Sequence, residues 1–130
     1  MPDTKHAAQL LLIVERDLDG MRSVLPLSTF PIEIFGFWAQ QAVEKALKAW
    51  LAFRDIQYPL IHDLDKLINL LEQSGEEIEP WIRSLAFLTP FAVQFRYEPV
   101  PPDEFNLDRE SLIVEIELLA ALVKGRILHG

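Results

Sequence analysis

Three groups of residues carry the side chains best suited to chemistry. His62 stands beside Asp63, and a histidine is the side chain that most readily exchanges protons near neutral pH. The pair admits two readings: an imidazole oriented by hydrogen bonding for proton transfer, or Asp63 capping a helix while His62 packs at the loop end. Arg96-Tyr97-Glu98 is the second group. Arg96 could hold a phosphate and Tyr97 could stack on a base or donate its hydroxyl; equally, Arg96 could cover terminal helix carbonyls while Tyr97 fills a groove. Gln40, Gln41, Glu44 and Lys45 form the third, either a ligand-facing cluster or a network of pairs three and four residues apart.

Other chemistries lack their residues. The positions three before His6, His62 and His129 hold Asp3, Pro59 and Arg126, so the Glu-x-x-His pairs of di-iron bundles are absent and no metal is expected. There is no cysteine, which removes thiol nucleophiles and thiolate ligands and fits a reducing compartment. No serine sits in a glycine-framed elbow, and the scattered glycines form no phosphate-cradling loop. No cofactor is called for.

The elements that must position these groups are helical. Phe35–Phe53 is the longest helix-favouring run, with Ala39, Ala42, Ala46 and Ala49 on one stripe where a second backbone can approach closely. Phe35, Trp38, Val43, Leu47, Trp50 and Phe53 flank that stripe, leaving only a narrow polar strip, the pattern of a central bundle helix. Pro31 is expected in its first turn. A preceding helix starts at Asp3 or Thr4, buries Leu10, Val14, Leu18, Met21 and Leu25, and stops at Pro26. Asp63 caps a third helix that buries Leu64, Leu67, Ile68 and Leu71 and ends at Gly75. Pro80 opens a fourth, with Trp81, Leu85, Leu88, Ala92 and Phe95 inward and a kink at Pro90. Pro99, Pro101 and Pro102 end it. Asn106 or Asp108 caps a fifth, whose core face is Leu112, Ile116, Leu119, Val123 and Ile127. No segment alternates with period two. The expected fold is all-α: one domain over 1–130, an up-and-down antiparallel four-helix bundle with an additional short helix, five helices in all.

The formal net charge is −8. Non-specific nucleic-acid affinity comes mainly from phosphate neutralisation, so a general nucleic-acid coat is disfavoured. No apolar run approaches the roughly 20 residues of a membrane span, and MPDTKHAAQ lacks a signal-peptide layout. A soluble cytoplasmic protein without membrane contact is expected.

FWAQQAVEKALKAWL, then YPLIHDLDKLINLL, then LTPFAVQFRYE resembles the HEPN domain (higher eukaryotes and prokaryotes nucleotide-binding). The shared pattern is an aromatic-x-A-Q-Q-x-x-E-K-x-x-K helix, a His-Asp-Leu helix start and an Arg-Tyr near the end of the fourth helix, over about residues 4–128. The resemblance implies a five-helix bundle that pairs as a homodimer. It also implies association with small nucleotidyltransferases in two-component, toxin–antitoxin-like cassettes. Many members are metal-independent ribonucleases with an Arg-x(4–6)-His motif. Counting from Arg96, the histidine positions hold Pro101, Pro102 and Asp103, and loss of a proton-transfer group forfeits about 10²–10⁴ in rate.

The reading favoured is therefore a non-catalytic dimeric module that binds a nucleotide, a nucleotidyltransferase partner, or both. Arg96 and Lys45 would counter phosphate, Tyr97 stack, and Gln41 and His62 supply polar contacts. The alternative is a divergent ribonuclease using Arg96 with His62 or Tyr97 in catalytic roles. A third reading is a structural adaptor presenting the exposed parts of Trp38, Trp50, Trp81 and the phenylalanines.

Overall fold

A computed structural model describes residues 2–101 and 107–129, and every regular element among them is helical. The first helix, α1 (Thr4–Val24), begins where the Asp3 carboxylate accepts from the His6 backbone N–H at 3.0 Å, and it gives out just before Pro26. Ala7, Val14, Leu18 and Met21 are its buried stripe; Leu10 and Leu25 are only half-buried, and Ala7 extends the stripe instead. The central helix α2 (Ile32–Phe53) starts one residue later than expected, since Pro31 has extended backbone and occupies the cap position rather than the first turn.

Ala39, Ala42, Ala46 and Ala49 are wholly enclosed, and α1 against α2 is the most extensive helix pairing in the protein. Helix α2 also meets the segments after residue 63, so nearly all its circumference is in contact. That explains its tolerance of so many apolar side chains.

Helix α3 (Leu64–Gln73) is capped by Asp63, which accepts from the Lys66 N–H, and by Thr89 Oγ1, which accepts from the Leu64 N–H at 3.2 Å. Leu64, Leu67, Ile68 and Leu71 are buried, and Gly75 supplies the positive φ of 100° that turns the chain away.

The fourth segment corrects the expectation of one kinked helix. Pro80–Ser84 is a single α-helical turn (α4), Leu85–Ala92 is 3₁₀, and after a break at Val93 the chain makes one more turn at Gln94–Tyr97 (α5). Pro90 has no N–H to offer and its ring crowds the carbonyl four residues back. The chain around it tightens into three-residue turns rather than bending an intact helix. Within the segment Ile82 is enclosed and Trp81 only half so, reversing the expected order, while Leu85, Leu88, Ala92 and Phe95 are buried as anticipated.

Helix α6 (Arg109–His129) is capped by Asp108, whose carboxylate accepts from the Ser111 N–H at 3.1 Å; Pro102, Asp103 and Asn106 lie outside the described residues. Leu112, Ile116, Leu119 and Val123 are buried with Ile113 and Ala120, and Ile127 is half-buried. No described helix is long and apolar enough to cross a membrane.

Candidate functional site

A run of glutamines and charges on α2 would ordinarily face solvent. Here Gln40, Glu44 and Lys48 are buried, and Gln41 and Lys45 half-buried. Charged groups enclosed on an apolar helix must pair or not ionise, and these pair. Lys48 Nζ donates to Glu44 Oε2 at 3.0 Å, while Glu44 Oε1 accepts from Gln40 Nε2 at 3.1 Å. His62 Nδ1 lies 2.7 Å from the same Oε1. An ionised carboxylate only accepts, so Nδ1 carries the proton, which leaves Nε2 of this half-exposed ring as an acceptor.

The amide orientations follow in sequence. Gln40 spends its NH₂ on Glu44 and on the His62 backbone carbonyl at 3.0 Å. Its own carbonyl oxygen must then accept, and Gln41 Nε2 donates to it at 2.7 Å. That leaves Gln41 Oε1 to accept from Lys45 Nζ at 2.7 Å. The chain of donors has one polarity, and its outer end is an ammonium group. Gln41 thus holds Lys45.

Burial alone would raise the Glu44 carboxyl, but hydrogen bonds from His62, Lys48 and Gln40, with the Lys48 charge, outweigh it and hold the group below its usual value. The network continues past Lys48, whose Nζ lies 5.4 Å from the centre of the Tyr58 ring, to the Tyr58 hydroxyl 2.7 Å from His6 Nε2. Burial, then the negative charges of Asp3 and Glu44, raise the Tyr58 phenol.

The structure brings Gln41, Lys45 and His62 together in this one network. Arg96 lies off its end: its guanidinium sits 4.9 Å from the ring centre of Phe37, one turn before Gln41 on α2. Tyr97 is 78% exposed, so it does not fill a groove beneath the proline-rich loop. The carboxylate that orients His62 is Glu44, eighteen positions earlier, not the adjacent Asp63, which caps α3. The adaptor reading loses one of its tryptophans, because Trp50 is enclosed in the core and Trp38 and Trp81 are half-buried. Among the described residues no three metal-ligating side chains cluster.

Glu44, grouped in the sequence with Gln40, Gln41 and Lys45, is the hub of the network, while Lys48, Tyr58 and Asp17 belong to it or border it without having been singled out as site residues. The signal for Glu44 and Lys48 was available: an i,i+4 ion pair on a helix apolar almost all round is placed to be internal. Asp17 on α1 had no such signal. Burial raises its carboxyl, nearby Lys45 lowers it by less, and Oδ2 is enclosed without a hydrogen-bond partner.

A carboxyl raised above its unfolded value of about 3.9 contributes stability below that pH and loses it as pH rises through the folded value. Asp17→Asn is therefore expected to raise the melting temperature at pH 7, with the gain shrinking toward pH 3. An equal gain at both pH values, or a loss at pH 7, would show that Asp17 carries no burial penalty.

The family model for the HEPN domain matches residues 7–125, nearly the whole chain. No curated protein and no solved structure matches it.

Proposed function

This chain belongs to the HEPN domain family, and we propose that it is a non-catalytic, homodimeric helical module that binds the phosphate end of a nucleotide and docks a nucleotidyltransferase partner. The observation that carries this reading is the division of labour around Glu44. The one carboxylate inside the network is fully occupied by Lys48, Gln40 and His62. What the network turns outward are cations, Lys45 and, beyond Phe37, Arg96, with the half-exposed His62 ring offering its Nε2 as an acceptor beside them.

A phosphate is the ligand such a row suits, since charge-assisted hydrogen bonds from Lys and Arg are the strong ones. Exposed Tyr97, next to Arg96, supplies a face on which a base stacks. The partner would sit where it covers that base. The helices around the site form an antiparallel up-and-down bundle in this reading, which the short connections over 25–31, 54–63 and 74–79 support. Pro101 stands where an Arg-x(4–6)-His motif counted from Arg96 could have its histidine, which favours binding over RNA cleavage.

Calorimetric titration with nucleoside mono- and triphosphates tests the proposal. Saturable binding is expected, weakened about tenfold or more in both Lys45→Ala and Arg96→Ala, since each removes a hydrogen bond to a charged group of about 1.5–3 kcal/mol. A flat trace for every nucleotide, or binding untouched by both substitutions, would overturn it.

A further inference from the structure

The outer side of α6 carries a second apolar stripe that the fold does not use. Its inner face is filled by Leu112, Ile116, Leu119 and Val123. Val114, Leu118, Ala121, Gly125 and Leu128 then recur at steps of four, three, four and three along the other side, the spacing of a coiled-coil seam. Val114 is 50% exposed, Leu118 54% and Leu128 66%. The middle of the stripe is small, and a Cβ added at Gly125 would meet nothing within 4 Å, so the chain's own packing does not require glycine there. Beside the stripe runs an apolar groove of about 330 Å³ between α1 and α6, walled by Leu11, Leu12, Ala120, Ile127 and Leu128.

We propose that this stripe is the face through which two copies of the chain pair, α6 against α6, antiparallel and centred on Ala121. Charge complementarity identifies the occupant. Each copy carries a net charge of −8, so two copies repel unless they meet where their charges match. Around Ala121 they do: Glu117, whose Oε2 also accepts from Arg22 of its own chain at 3.0 Å, lies four residues before it and Lys124 three after. Antiparallel pairing about that centre sets Glu117 of each copy against Lys124 of the other, twice over by symmetry. A parallel pairing would set Glu117 against Leu122 of the other copy and make no such ion pair.

The same register sets Val114 against Leu128 of the second copy and brings its Leu118 alongside Lys124, at the groove's edge. The small residues at the centre let the backbones approach closely. This surface specifies the homodimer part of the function proposed above and is independent of the ligand part.

The chain has no cysteine, so single-cysteine variants report the register directly. Light scattering of the wild type should give a dimer at micromolar concentration. Leu118→Glu should give a monomer with an unchanged helical circular-dichroism spectrum and melting temperature, because Leu118 is 54% exposed and lies outside the buried core. Under mild oxidation Ala121→Cys should cross-link to itself, since disulfide formation needs Cα atoms within about 7 Å. Val114→Cys should not, because two copies of that position would lie roughly 21 Å apart along an antiparallel pair.

A monomeric wild type would overturn the dimer itself. A dimer that survives Leu118→Glu, or that cross-links through Val114→Cys but not Ala121→Cys, would leave the dimer standing and overturn this surface.

Discussion

Alanine at Glu44 is expected to destabilise the protein by about 3–5 kcal/mol, the range for removing one partner of a buried ion pair. With total stabilities of about 5–15 kcal/mol, that is a large share of the whole. The cost is not mainly the lost attraction between Glu44 and Lys48. It is that Lys48, enclosed to nearly the same degree, keeps its charge without a counter-ion, while Gln40 and His62 lose their shared acceptor. Two further substitutions separate this account from a simple cavity effect. Glu44→Leu combined with Lys48→Met removes both charges and keeps the volume, and it should recover most of the loss. Glu44→Ala with Lys48→Ala should cost less than the sum of the single changes. Urea midpoints followed by circular dichroism measure these variants together with Lys48→Ala and the wild type. A loss under about 1 kcal/mol for Glu44→Ala would mean that the network is not internal.

The same residue sets part of the acid response. The folded Glu44 carboxyl is held below its ordinary value of about 4.5. A carboxyl lowered on folding contributes stability that is complete above the unfolded value and is lost as pH falls through the folded one. Wild-type stability should therefore decline below about pH 4.5, and the gap between wild type and the Glu44→Leu, Lys48→Met pair should change across that window. Near neutral pH it should be flat.

Helix starts and stops were legible because they are local matters. Asp3, Asp63 and Asp108 each cap the next helix with their own carboxylates, and Gly75 takes the positive φ that its place after α3 demands. The buried stripe of α3 followed from periodicity alone. His62 was legible as an oriented histidine, but its partner was not, because Glu44 reaches it only once the loop over 54–63 has folded back along α2. Gln40 and Gln41 are adjacent in sequence and lie at the edge of the same helix face. Which of them turns inward depends on the His62 carbonyl, a tertiary contact with no local trace. Arg96 was picked out by type and by family pattern, and the structure adds its seat on Phe37. The 3₁₀ course of Leu85–Ala92 was hidden for a related reason. Proline announces an interruption, but whether the chain kinks or tightens depends on what its neighbours pack against.

Next to Pro90 stands Phe91, and it makes Gly36 the described glycine with least room for a side chain. Phe91 is fully enclosed and meets Phe95 edge-on, ring centres 4.9 Å apart. A Cβ built on Gly36 would overlap the Cδ1, Cε1 and Cγ atoms at the edge of the Phe91 ring. On propensity alone, alanine in a helix interior is better than glycine by about 1 kcal/mol. Overpacking an enclosed core costs about 1–3 kcal/mol and more when the obstructing group cannot retreat. Phe91 is walled in, so the steric cost should win and Gly36→Ala should lower stability by roughly 2 kcal/mol. Gly20 is the control, since it too lies inside a helix but its added Cβ would meet Trp38 at 3.6 Å, an ordinary contact. Gly20→Ala should therefore stabilise by about 0.5–1 kcal/mol, the reverse sign from the same chemical change. Trimming the ring in Gly36→Ala with Phe91→Leu should restore part of the loss, which a defect confined to the backbone of α2 would not permit. Thermal and urea unfolding of these variants decides the matter. If Gly36→Ala tracks Gly20→Ala, the 3₁₀ segment does not press on α2, and the close approach that seats Arg96 over Phe37 has some other cause.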